Sequence, residues 1–166
     1  MAIRLVRCLP DPVLRKKARR ILVIDKPVLK LIEDMMDTLH DGEGLGLAAP
    51  QIGVTLRVIV LHMPDEAPFA VINPAIVKRI GEREVAEGCL SIPGYQGRIR
   101  RAVSVTVKGL DSQSKPQRIK ATGMLAQALE HEIDHLDGIL YIDRLESPNK
   151  LYSFDAEQPK VAVGNL

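Results

Sequence analysis

Met124, Leu125, Ala128, Leu129, Ile133 and Leu136 recur at helical spacing, so the stretch from about Gly123 to about Asp137 must fold as a helix largely buried against the rest of the chain. No other feature limits the fold as tightly, because the same helix carries His131, Glu132 and His135. Ala121, Ala126 and Ala128 add small residues, Thr122 can cap the start, and Gly138 stands where a left-handed residue would end the helix. An α-helix advances about 3.6 residues per turn, so positions i and i+4 project from nearly one face and the two imidazoles can converge on one ion. Glu132 sits beside that face, close enough to take a proton from a water held there. A charged helix with two solvated histidines would show the same five residues. Burial decides between the two, since a buried His, Glu, His cluster without a compensating ion would be expensive.

A catalytic site of this type needs a third protein ligand and one open position. The chain has four histidines, and the other two, His40 and His62, fall at the end of an apolar-periodic helix and within a strand-like run, where surface or packing roles suit them better. Cys89 is the favoured ligand: Glu87-Gly88-Cys89-Leu90-Ser91 sets a thiol on a glycine-flanked turn after the strand-like Arg83 to Ala86, although one cysteine in isolation would read as a small buried hydrophobe. A third segment, Gly44-Leu45-Gly46-Leu47-Ala48-Ala49-Pro50-Gln51, has glycines and small side chains that allow close backbone approach. It ends in an amide able to donate two hydrogen bonds, placed among apolar residues ahead of the strand-like Leu56 to Met63.

Together these three segments resemble the three motifs of the peptide deformylase family, in the family's order. Gly44 through Gln51 matches the glycine, apolar, glycine, apolar, Ala-Ala, any residue, Gln pattern, Glu87 through Ser91 the Glu-Gly-Cys-apolar-Ser pattern, and His131 through Gly138 the histidine motif. The opening Leu9-Pro10-Asp11-Pro12-Val13-Leu14-Arg15 is similar too, and the likeness runs from about Leu5 to Ser147. It implies hydrolysis of the N-formyl group from the initiator methionine of new polypeptides, releasing formate. It further implies that Cys89, His131 and His135 bind a divalent metal, most commonly Fe2+, with Zn2+, Ni2+ or Co2+ able to substitute. Glu132 would accept the proton of the attacking water and hand it to the departing amine. The Gln51 side-chain amide and the Leu90 backbone N–H would stabilise charge building on the formyl oxygen. Main-chain groups of Leu45, Gly46 and Gly88 would hold the peptide as an added strand, Ala128 would help form the methionine pocket, and Glu87 with Arg101 would form a supporting ion pair.

Two rivals use the same helix. A zinc endopeptidase would place a third histidine three residues beyond Gly138, where this chain has Tyr141. A structural metal module would need a fourth protein ligand, and the other cysteine, Cys8, lies in a strand-like N-terminal segment without a spacing partner.

Over 166 residues, Lys plus Arg number 23 against 21 Asp plus Glu, so overall charge suggests neither nucleic-acid specificity nor a membrane partner. The run Arg15 to Arg20 reads as a solvated face, with transient ribosome contact as the alternative. A start without a long apolar stretch, and a cysteine wanted as a ligand, fit the cytoplasm. Val28, Leu31, Ile32, Met35 and Leu39 mark a helix begun near Asp25-Lys26-Pro27 and stopped by Gly42 and Gly44. Strands are expected at Leu56 to Met63, Phe69 to Ile72, Ala75 to Ile80, Ala102 to Leu110 and Gln117 to Ala121, with a turn at Asp111 to Pro116. The expectation is an α+β fold: mostly antiparallel sheets around a central metal-binding helix, as one catalytic domain over 1–147 and a tail of open structure over 148–166.

Overall fold

The computed structural model describes residues 2–153. In chain order the elements are α1 (Lys26–Asp41), β1 (Gly46–Ala48), β2 (Val58–Leu61), β3 (Phe69–Ile80), β4 (Arg83–Cys89), β5 (Ile92–Arg101), β6 (Ser104–Leu110), β7 (Pro116–Thr122), α2 (Gly123–Leu136) and β8 (Leu151–Ser153), with short 3-10 turns between them. The strands form two antiparallel sheets, one ordered β1-β2-β3-β6-β7 and the other β4-β5-β8. The fold is therefore α+β, as the periodicities and the family resemblance implied.

Strand β2 shows how the layers stack. Side chains alternate across a strand, and Val58 and Val60 join the α1 cluster while Ile59 and Leu61 join the α2 cluster. All four are fully buried, which is why Val58 to Leu61 reads as an unbroken apolar run. Full burial of one such side chain stabilises by roughly 1.5–3 kcal/mol. The three-stranded sheet has its own core, in which Val85, Ile92, Ile99 and Leu151 pack with Leu14, Leu140, Tyr141 and Ile142.

Helix α1 begins where the Asp25 carboxylate accepts the Val28 N–H at 3.1 Å and Pro27 occupies the first turn. Helix α2 is buried from Ala128 through Leu136. Its N-terminus differs from expectation, since Thr122 holds the cap position without a capping hydrogen bond from its side chain. Met124, counted in the apolar stripe, is half exposed. Gly138 does end the helix in the left-handed region at φ 73°, where a Cβ would stand 2.5 Å from the Arg15 carbonyl oxygen.

Several strands differ from their sequence signals. The two runs expected at Phe69 to Ile72 and Ala75 to Ile80 are one strand, with a register shift over Asn73 and Pro74. A proline is tolerated there because it sits in the bulge, and the Asn73 side chain bridges to the Ile21 backbone in both directions at 2.8 Å. Strand β2 starts late because Arg19 takes the backbone groups of Thr55 and Arg57. Strand β6 starts at Ser104 because the Ala102 N–H donates to Glu130 at 2.9 Å. The segment around Cys8 is not a strand, although Arg7 and Leu9 donate backbone N–H groups to Gln51 and Ser91. The expected tail is structured at its start, where β8 pairs with β5 across Tyr95↔Ser153 to Gly97↔Leu151. Residues 154–166 lie outside those described. The run Arg15 to Arg20 is exposed apart from buried Ala18.

Candidate metal centre

Strands β1 and β4 are each the edge of their sheet, and the two free edges flank a groove of about 570 Å³ with α2 at its base. Leu45, Gly46, Gln51, Gly88, Cys89, Leu90, Ala128, His131 and Glu132 all line it. Three elements distant in sequence thus bring the expected residues together. His131 Nε2 and His135 Nε2 stand 3.2 Å apart on adjacent turns of α2, and Cys89 Sγ, at the end of β4, lies 3.3 Å from His135 Nε2. Among the described residues these three form the group able to share a cation, with ligand atoms all within 4.8 Å of one another.

The donor set fits a cation. Two imidazole nitrogens each about 2.0–2.1 Å from a tetrahedral ion would be roughly 3.3 Å apart, and a thiolate at about 2.3 Å would lie roughly 3.5 Å from either. His131 Nδ1 meets Glu87 Oε2 at 2.6 Å, which fixes the ring and leaves Nε2 for the centre. Burial opposes charge on His131, but Glu132, Cys89 and Glu87 together raise its pKa well above the ordinary value, while burial beside a charged neighbour pushes His135 well down.

Glu132 is 4 % exposed, and its Oε2 has no hydrogen-bond partner. Burial pushes its carboxyl up to about 7, against the opposing pull of His131, and so sets a base near neutral pH. The close approach of β1 makes this pocket, because a Cβ on Gly46 would lie 2.6 Å from Glu132 Oε1. Gln51 is held from behind, its Oε1 accepting the Ala48 N–H at 2.9 Å. Its Nε2 is thereby aimed at Ser91 Oγ, 3.1 Å away, and at Cys89 Sγ, 3.6 Å away.

Glu87 and Arg101 pair as expected, through Nε at 3.0 Å and Nη2 at 2.6 Å. Burial raises the Glu87 carboxyl, but hydrogen bonds and charge from His131 and then Arg101 outweigh it and hold the group at about 2. Arg101 Nη1 also reaches Asp134 at 2.7 Å, and Asp134 accepts from Arg144 Nε and Nη2 at 2.6 and 2.7 Å. Sequence reasoning missed Asp134, Arg144 and Ser91. Asp134 and Ser91 stand inside the motifs, and only their positions there could have drawn attention to them.

Some assignments change in detail. The Leu45 carbonyl accepts the His62 N–H at 2.9 Å, so Leu45 gives the groove its 39 % exposed side chain rather than that main-chain oxygen. Gly46 and Gly88 sit on the groove-side edges, and Ala128 both lines the groove and packs in the α2 core. His40 is exposed, and neither it nor His62 joins the centre. Tyr141, where the endopeptidase pattern wants histidine, is buried with its ring stacked 6.4 Å from that of His131. Cys8 is exposed, 3.7 Å from the Leu90 carbonyl, and supplies no fourth ligand.

A family profile described as Polypeptide deformylase matches residues 3–151. A peptide deformylase of Dehalococcoides mccartyi (strain CBDB1) is 55% identical over 163 residues, covering 96% of this chain and 98% of that protein. Among solved structures, a peptide deformylase from Legionella pneumophila superposes with a TM-score of 0.86 at 48% identity, covering 90% of this chain and 89% of that one. A peptide deformylase from Synechococcus elongatus in complex with actinonin gives 0.84 at 39% identity, covering 87% and 80%.

Proposed function

Because the chain belongs to the polypeptide deformylase family, we propose that it hydrolyses the N-formyl group from the initiator methionine of newly made polypeptides, releasing formate. Cys89, His131 and His135 would hold one divalent cation, natively Fe2+, with Zn2+, Ni2+ or Co2+ able to substitute. Such an ion, when bound, makes a water more acidic and polarises the formyl carbonyl.

The chain's own groups do the rest. Glu132 Oε2 takes the proton of the attacking water and delivers it to the departing amine, a role that suits a carboxyl poised near neutrality. Gln51 Nε2 and the Leu90 N–H donate to the formyl oxygen as charge gathers on it. One such donor typically stabilises the transition state by about 3 kcal/mol, or roughly a hundredfold in rate. The substrate lies extended between the edges at Gly46 and Gly88, where backbone hydrogen bonds give grip without demanding a sequence. Leu45 and Ala128 offer apolar surface to the methionine side chain.

The reading is carried by one convergence: the Gln51 amide, the Cys89 sulfur and two imidazoles meet beside an unpartnered carboxylate oxygen. Among the described residues no helix is long and apolar enough to cross a membrane. We place the enzyme in the cytoplasm, where both free cysteines stay reduced. Protein purified without oxygen should carry about one metal per chain and release formate from formyl-Met peptides. Cleavage of an internal peptide bond instead, or formate release from protein stripped of metal, would refute the proposal.

A further inference from the structure

Overall charge is nearly balanced, yet one face of the five-stranded sheet is not. Regular pairing sets Lys78, Thr106 and Lys120 opposite one another across β3, β6 and β7, with Ile80, Ser104 and Thr122 in the next row and Lys108 opposite Arg118 on the other side. The partners between these rows, Val105, Val107 and Ala121, pack inward with α2. Lys78, Lys108, Arg118 and Lys120 therefore share the outer face, turned away from the helix that carries the metal ligands. The register shift between Ile76 and Lys78 is what brings Lys78 onto it.

All four cations are exposed, and none forms an ion pair with a described residue. The other sheet handles comparable residues differently: exposed Arg98 meets Glu84, and Arg100 meets Glu82 and Glu146. Lys108 and Arg118 stand directly opposite one another, a like-charge pairing that is destabilising by itself and that an anion from outside the described fold would relieve. A depression of about 370 Å³ lies there, lined by Lys78, Arg118 and Lys120, with Ser104, Thr106 and Thr122 adding hydroxyls.

We propose that this face binds the phosphodiester backbone of double-stranded RNA without reading its sequence. Cations and hydroxyls are both donors to phosphate oxygens, and the four cations stand in adjacent rows of one sheet face. No aromatic ring lines the depression, so unpaired bases have no stacking platform. A concave surface also suits a strand of phosphates better than a flat bilayer. With RNA seated on the outer face, the catalytic groove across α2 stays open. The proposal is independent of the deformylase assignment, since it involves no residue of that groove.

The test is fluorescence anisotropy of the full-length protein with a labelled RNA duplex of about 20 base pairs, over a salt series. Four neutralised phosphates predict a log–log slope of about −3.6, so affinity should fall about 150-fold for a fourfold rise in salt. Lys78→Gln with Lys120→Gln should weaken binding at least tenfold and flatten the slope by about 2, while the Lys78→Arg, Lys120→Arg pair keeps it. Formate release from a soluble formyl-Met peptide by the Gln pair should equal wild type, which also shows that the fold is intact. Lys16→Gln with Lys17→Gln, exposed cations outside the face, should leave RNA binding unchanged. Equal weakening by that control pair, no RNA binding at low salt, or binding by this face to phosphatidylserine vesicles but not to RNA would each overturn the proposal.

Discussion

Replacing Glu87 by glutamine should damage the protein twice, and the two losses can be measured apart. The Glu87 carboxylate accepts from Arg101 at 2.6 and 3.0 Å and meets His131 Nδ1 at 2.6 Å, so it neutralises a guanidinium that is 3 % exposed and also orients the ring of His131, a ligand in the proposed metal centre. Removing one partner of a buried ion pair destabilises by about 3–5 kcal/mol. Glutamine keeps one acceptor oxygen and nearly the same volume, and Asp134 still meets Arg101, so the lower end, about 3 kcal/mol, applies. In a domain of this size each kcal/mol moves the midpoint by about 2–4 °C, which gives a fall in Tm of roughly 6–12 °C by calorimetry. Loss of a carboxylate behind a histidine ligand typically lowers metal affinity about 10–100-fold, readable by competition with a chromogenic chelator at a temperature where both proteins are folded. If Glu87→Gln binds metal as tightly as wild type, Glu87 does not orient His131. If Tm also stays within about 2 °C, the buried network is not the structural tie described here.

Gln51→Ala should retain its metal and lose about a hundredfold or more in kcat on formyl-Met peptides; wild-type turnover would remove Gln51 from the mechanism. Gly46→Ala drives a Cβ to 2.6 Å from Glu132 Oε1, and displacing that carboxylate should lower kcat by about a hundredfold with thermal stability little changed; unchanged kcat would show that the contact relaxes freely. Lys30, and then Arg4, hold the Asp34 carboxyl below its ordinary value of 3.8 against the opposing effect of burial. The stability this adds is present above the unfolded value and is lost as pH falls through the lower folded one. The Tm gap between wild type and Asp34→Asn should therefore stay level through neutral pH and close at the acid end, and a gap that widens in acid would contradict the pairing.

The site was legible where its chemistry is written locally. Two histidines one turn apart, a thiol between Gly88 and Leu90, and Gln51 after a glycine-rich run each carry their meaning within a few residues, and the fold brings all three together. What stayed hidden depends on partners far along the chain. Strand β5 was not foreseen because Arg98 and Arg100 alternate with Gly97, Ile99 and Arg101, and sequence does not distinguish an arginine facing water from one sealed against Glu87 and Asp134. For the same reason Arg101 could be singled out from its neighbours only by family likeness. Asn73-Pro74 read as a break because a bulge held by Ile21 cannot be seen from either residue alone. Thr122 looked like a cap, but its hydroxyl makes no such bond.

Strands β1 and β4 end their sheets without a further strand beside them, which ordinarily invites other folded proteins to zip on and aggregate. Facing each other across one cleft of about 570 Å³, the two borders guard against that hazard, because so small a space takes a few residues of extended chain and not a ready-made sheet. A lone unstructured chain end is thin enough. Steric admission alone thus favours polypeptides that have not yet folded, before any formyl group is recognised.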